Sequence, residues 1–182
     1  NWDLMNDGLG NPKNTKSLLL AHKTPPSMGL GVRSDAEAAV RAGIRHIQFA
    51  VRPEADAVAI DEYLKSLKPI PSPRLVKGKL SRSANRGREV FESAGCASCH
   101  SGELYTDQKK HDLGIGKWLD EGKSYDTPTL IEVWRTAPYL YDGRAASIED
   151  MLKKHNVDDK HGKTSNLTNK QIEDLAEFVL SL

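Results

Sequence analysis

The chain has 182 residues, enough for one ordinary domain or two small ones. Lys and Arg (26) nearly balance Asp and Glu (25), so the net charge of +1 argues against a nucleic-acid or anionic-membrane partner. No apolar run reaches transmembrane length, and the apolar and aromatic fractions, 38% and 6%, are lean for a chain that must build its own core.

In chain order, Ser34 or Asp35 is placed to cap a first helix carrying Val40, Ile44 and Ile47. Pro53 opens a second, in which Ala57, Ile60, Leu64 and Leu67 fall at helical spacing. The run Lys68-Pro69-Ile70-Pro71-Ser72-Pro73 cannot continue a helix and predicts an extended linker. A third helix is expected over 83–93. Ser147-Ile148-Glu149-Asp150 is a capping-box pattern and starts a helix to about His155. Thr168 with Gln171 repeats the pattern and starts the last helix, striped by Ile172, Leu175, Ala176, Val179 and Leu182. Long alternating strand patterns are lacking, so the expected fold is all-α with long loops.

The third helix runs into Cys96-Ala97-Ser98-Cys99-His100, which holds the only two cysteines. Two thiols at this spacing form thioethers to the two vinyl groups of one haem, and the adjacent imidazole takes the iron as proximal ligand. A zinc site would need a second ligand pair at finger spacing, and a thioredoxin-like pair a βαβ context; neither is present, and a short-loop disulfide is the remaining alternative. The chain therefore reads as a c-type cytochrome or part of one, its haem supplying the apolar bulk that the composition lacks. Covalent haem attachment takes place outside the cytoplasm, so a periplasmic or other extracytoplasmic site is expected. No signal peptide stands at Asn1, and a leader is expected to have been removed or to lie outside this chain.

An internal repeat adds to this. Asn14-Thr15-Lys16-Ser17-Leu18-Leu19 resembles Asp126-Thr127-Pro128-Thr129-Leu130-Ile131, an offset of 112 (126 − 14). At the same offset Lys23-Thr24-Pro25-Pro26 matches Arg135-Thr136-Ala137-Pro138, Gly31 matches Gly143 and Glu37 matches Glu149. A chance likeness between Thr/Pro-rich loops is the bland alternative. If the repeat is real, the counterpart of Cys96 projects just ahead of Asn1, and the chain is expected to begin a little downstream of a first haem site.

Gly95 to Gly102, Tyr105-Thr106-Asp107, His111-Asp112-Leu113-Gly114, Asp126 to Leu130 and Arg135-Thr136-Ala137-Pro138-Tyr139-Leu140-Tyr141-Asp142-Gly143-Arg144 follow one another in an order that resembles the carboxy-terminal haem domain of bacterial di-haem cytochrome c peroxidases and MauG-type enzymes. The resemblance covers about residues 83–182. The first half resembles the amino-terminal domain of that family only over 14–37 and lacks its CxxCH. It implies two cytochrome c-like domains, 1–75 and 76–182, with a six-coordinate electron-transfer haem in the second and peroxide activation at a haem of the first. It implies a redox partner protein or an upstream segment of a larger polypeptide, and in some members a calcium ion between the domains.

For the second axial position the candidates are His111, His155, His161 and Met151. Alignment on the helix after Asp142-Gly143-Arg144 favours His155, giving a bis-histidine haem; a helix-terminal imidazole is the alternative role. Met151 reads more readily as core, His111 as a propionate neighbour or solvent-facing group, and His161 as a surface histidine. Arg135 and Arg144 are candidate propionate partners, or solvated charges. Trp134 reads as haem-pocket packing. The resemblance marks the Thr136 and Pro138 carbonyls as calcium ligands and Glu37 as the acid assisting peroxide cleavage, an ordinary first-turn glutamate being the alternative. Met28 and His46 are each placed to approach a first haem or to serve as core.

Overall fold

The computed structural model describes residues 2–3 and 12–182. The chain is mostly helical. Its helices are α1 (Ala36–Ala42), α2 (Glu54–Ser66), α3 (Arg82–Ser93), α4 (Ile148–Lys154) and α5 (Asn169–Val179). Among the described residues the strands are two short antiparallel pairs, β1 (Trp2–Asp3) with β2 (Pro12–Lys13) and β3 (Lys110–His111) with β4 (Tyr125–Asp126). No helix among the described residues is long and apolar enough to cross a membrane.

Helix starts follow from local chemistry. Asp35, not Ser34, caps α1, its carboxylate accepting from the Ala38 N–H at 2.7 Å. Ser81 caps α3 and Ser147 caps α4 through their hydroxyls. Thr168 and Gln171 exchange side chain and backbone bonds in a full capping box at α5. Past Ala42, residues Gly43–Ile47 continue as a wider π turn, so Ile44 and Ile47 leave the α-helical register that their spacing predicts.

The main core joins α3, α4, α5 and the loop before α4. Val90 and Phe91, Leu130 and Val133, Ile148 and Leu152, and Ile172, Leu175, Phe178 and Val179 are all buried. Burial of each such side chain contributes about 1.5–3 kcal/mol. Phe91 packs edge-on against Phe178 with centroids 5.2 Å apart. The proline linker is not free: Ser72 is buried and its hydroxyl donates to the Leu180 carbonyl at 2.6 Å, while the Ile70 N–H donates to Glu132.

The offset of 112 reappears in the backbone. Leu20 and Glu132 are both left-handed (φ 62 and 59), as are Met28 and Leu140 (φ 75 and 70) and Gly31 and Gly143 (φ 59 and 74). The bridge Ser27–Arg33 mirrors Tyr139–Ala145, and α1 mirrors α4 residue for residue. A small cluster of Leu30, Ile115 and Tyr125, with Leu140 and Tyr141 against it, joins the two repeats. Polar ties reinforce it. Lys13 pairs with Asp120 at 3.0 Å with both side chains buried, Lys16 pairs with Asp126 at 2.6 Å, and the Asn14 N–H donates to the Tyr141 carbonyl at 2.6 Å.

Candidate haem site

The attachment motif sits where α3 ends. Gly95 takes a left-handed conformation (φ 80) that stops the helix, and Cys96–Ser98 form a tight 3-10 turn. This turn sets Cys96, Cys99 and His100 at the edge of the α3/α5 core. The Cys99 and His100 N–H groups both return to the Cys96 carbonyl. Burial pushes the Cys96 thiol up to about 11, the reverse of the lowered thiol of a redox-active CxxC pair. A cleft of about 250 Å3 opens beside His100, walled by Phe91, Tyr105 and Phe178.

His100 is held in one tautomer. Its Nδ1 lies 3.1 Å from the Tyr105 carbonyl, an acceptor only, so Nδ1 carries the proton and Nε2 keeps its lone pair for a metal. Burial lowers its proton affinity.

The ring facing His100 is that of His161. The centroids are 6.2 Å apart with the planes inclined by 33°. An imidazole nitrogen about 2 Å from a metal puts its ring centroid about 3 Å away, so two rings that share one ion sit about 6 Å apart. Burial, and the charge of His100, push His161 down to about 4, so it is neutral and its lone pair is free at ordinary pH. Its Nδ1 is buried without a hydrogen-bond partner in the protein. Gly162 lies against the attachment site: a Cβ there would stand 3.2 Å from Cys96 Sγ. Opposed neutral imidazoles beside two unpaired cysteines are a donor set that fits haem c.

His155 lies elsewhere. It is the C-cap of α4, half-buried, with Nε2 3.7 Å from Asp150. In this structure His155 stands at the helix end, and His161 is half-buried rather than on the surface. The loop after α4 folds back and brings the His161 ring to 6.2 Å from the His100 ring, centroid to centroid. Met151 packs on the core.

Other candidates are engaged within the protein. Arg135 pairs with the buried Glu132 and lies over Trp134, its guanidinium 5.9 Å from the ring centroid. Arg144 holds Asp142 at 2.6 Å and donates to the Tyr141 hydroxyl at 2.8 Å. Both forks expected to meet propionates therefore hold protein carboxylates. His111 pairs with Asp107 at 2.8 Å, and both lie near Cys99, the three ligand atoms within 4.8 Å of one another. Because Cys99 belongs to the attachment motif, this reads as a hydrogen-bonded pair beside that motif rather than a free metal triad. The Pro138 carbonyl accepts from the Asn14 amide at 2.5 Å and the Thr136 hydroxyl donates to Val133. Glu37 lies in the first turn of α1, its carboxylate 3.3 Å from Lys65 and 3.9 Å from His22. Met28 is half-buried in a left-handed turn, and His46 is exposed.

Residues 84–182 match the cytochrome c family model. The chain is 27% identical to the hydrazine synthase subunit gamma of Kuenenia stuttgartiensis, over 100% of this chain and 67% of that one. A solved hydrazine synthase from the same organism superposes with a TM-score of 0.87 at 24% identity, covering 100% of this chain and 76% of that chain. The methylamine utilization protein MauG of Methylorubrum extorquens is 34% identical over 40% of this chain and 25% of its own length. A cytochrome-c peroxidase of Denitromonas iodatirespirans is 27% identical over 58% and 42% respectively. The chain spans less than half of the last two relatives. Motif, fold and relatives agree: the chain belongs to the cytochrome c family, among the MauG-like di-haem cytochrome c peroxidases.

Proposed function

We propose that the chain holds haem c at Cys96 and Cys99 between His100 and His161, as a six-coordinate centre for single-electron transfer. The observation that carries this is the pair of imidazoles facing each other with ring centroids 6.2 Å apart. Haem bound here supplies a one-electron couple. The Tyr105 carbonyl fixes the His100 ring, desolvation lowers the proton affinity of both histidines, and with both holding the iron no position would be left for peroxide. Two nitrogen ligands favour the ferric state and a low potential.

The test is electron paramagnetic resonance of the ferric protein. Wild type and His155→Ala are expected to be low-spin, and His161→Ala to show a high-spin signal. A His161→Ala protein that stays low-spin overturns the assignment. Replacing Cys96 and Cys99 together is expected to abolish covalent haem.

A second reading concerns residues 1–75 as part of another haem domain in which a peroxide-reducing or substrate-oxidising reaction takes place, with Glu37 as its acid. The observation that favours it is on α2. Aligned on α5 at an offset of 115 (178 − 63), Tyr63 stands for Phe178 and Ile60 for Leu175. Yet Tyr63 is 65% and Ile60 39% exposed, against 2% and 1% for their counterparts. This is the face that α5 turns to α3, and a helix carrying a second CxxCH, from the same polypeptide or a partner subunit, fits it. Haem stain and mass of the full native protein decide: two haems support the reading, one overturns it. An extracytoplasmic location follows from the covalent haem, and fractionation tests it.

A further inference from the structure

The loop between α4 and α5 has only a short 3-10 turn at Val157–Asp159 and a bridge from Lys160 to Gly162, so side-chain bonds add to the aim of His161. One residue makes three of the contacts. Asn156 Oδ1 accepts from the His161 N–H at 2.8 Å, and Nδ2 donates to the Gly162 carbonyl at 2.7 Å. The same Nδ2 donates to Thr164 Oγ1 at 2.7 Å, whose hydroxyl donates to the Leu152 carbonyl of α4 at 3.3 Å. One amide thus grips His161 and Gly162 and ties them to α4. On the other side the Lys163 N–H donates to the Ala94 carbonyl at 2.8 Å, which ties the segment to the attachment turn.

We propose that Asn156 is the positioning residue for the second axial ligand, holding the His161 backbone so that its ring meets the iron from the face opposite His100. This rests on the reading of His161 as ligand. The chemistry requires an amide. One end must accept from an N–H while the other donates twice, and neither a carboxylate nor an aliphatic group of the same size does both. The contact at the backbone matters because the His161 ring has no fixing partner of its own: its Nδ1 is unpaired, unlike that of His100. Where metal-ligating imidazoles are steadied by a bond to the ring, here the steadying acts through the main chain.

The experiment uses the full haem-loaded chain. Asn156→Asp keeps the volume and loses both N–H donors; Asn156→Ala loses the whole amide. Because haem is attached through Cys96 and Cys99, weakening an axial ligand does not release it. Ferric electron paramagnetic resonance and carbon monoxide binding to the ferrous protein are measured, with His161→Ala alongside. Expected are a high-spin component in both Asn156 variants and carbon monoxide binding about tenfold faster than in wild type. Should Asn156→Ala not accumulate, the isosteric Asn156→Asp carries the measurement. If His161→Ala opens the iron but the Asn156 variants keep the wild-type g-values and carbon monoxide rate, Asn156 is only a loop brace and the proposal is overturned. If His161→Ala itself stays low-spin, the ligand reading fails and the proposal falls with it.

Discussion

Gly87 of α3 lies against the Asp174 carbonyl of α5 so closely that a Cβ built at 87 would stand 1.8 Å from that oxygen and 2.9 Å from Phe178 Cβ. The obstacle is backbone, which cannot rotate away, so only glycine permits this crossing. The crossing sets the end of α3, and with it the turn of Cys96–His100. Gly87→Ala should therefore separate the helices and destabilise by about 3 kcal/mol, the upper part of the range for overpacking. Thermal unfolding checks this. A loss under about 0.5 kcal/mol would mean that the helices re-seat freely.

The same crossing carries an acid-sensitive ion pair. Arg86 donates two bonds of 2.7 Å to Asp174, and Lys170 stands 3.1 Å from the same carboxylate. These bonds hold the Asp174 carboxyl below its ordinary value of 3.8, Arg86 contributing most. The folded state then binds fewer protons than the unfolded one, so stability rises with pH across this interval. The contribution is complete above the ordinary value and is lost as pH falls through the lowered one. Wild type should lose unfolding temperature steeply below about pH 4. Asp174→Asn should be less stable at pH 7 but show a shallower acid limb, and equal slopes would exclude this pair as the cause.

Helix caps were legible in the sequence because each joins a side chain to an N–H three residues on, as at Asp35, Ser147 and Thr168. The attachment motif was legible for the same local reason, and the repeat because residues such as Gly31 and Gly143, which the sequence pairs, occupy matching left-handed turns. His161 was not. It belongs to a loop without periodicity, in which Asp158 and Asp159 take left-handed conformations and Asn156 supplies the fixing bonds. Alignment on α4 points to the histidine at the helix end, and only the folded loop shows that His161 comes back beside His100. A trace was present in Gly162: glycine directly after a histidine marks a close approach, here to Cys96. The partners of Arg135 and Arg144 were likewise hidden, because a left-handed turn places Glu132 and a tight loop places Asp142.

Lys13 and Asp120 bridge the two repeats with side-chain exposures of 6% and 1%. Removing one member leaves the other charge buried, which costs about 3–5 kcal/mol, whereas removing both with apolar replacements is far milder. Asp120→Leu should be strongly destabilising, and Lys13→Met with Asp120→Leu should recover much of the loss. Denaturant unfolding of the four proteins of this cycle measures the coupling. Additive losses would show that the charges act independently.

Phe178 and Tyr63 occupy the same position in α5 and α2, one buried against Phe91 and the other largely in solvent. Burial decides their weight. Phe178→Ala removes a ring that closes the α3/α5 core and should cost about 3–5 kcal/mol. Tyr63→Ala removes a ring that this chain leaves uncovered and should change stability by no more than about 0.5 kcal/mol. Calorimetry on the 182-residue chain compares the two. In a longer or partnered form, in which a helix lies across Ile60 and Tyr63, the Tyr63→Ala loss should grow toward that of Phe178→Ala. A small effect in both forms would mean that nothing covers this face, and that α2 keeps the repeat's shape without its partner.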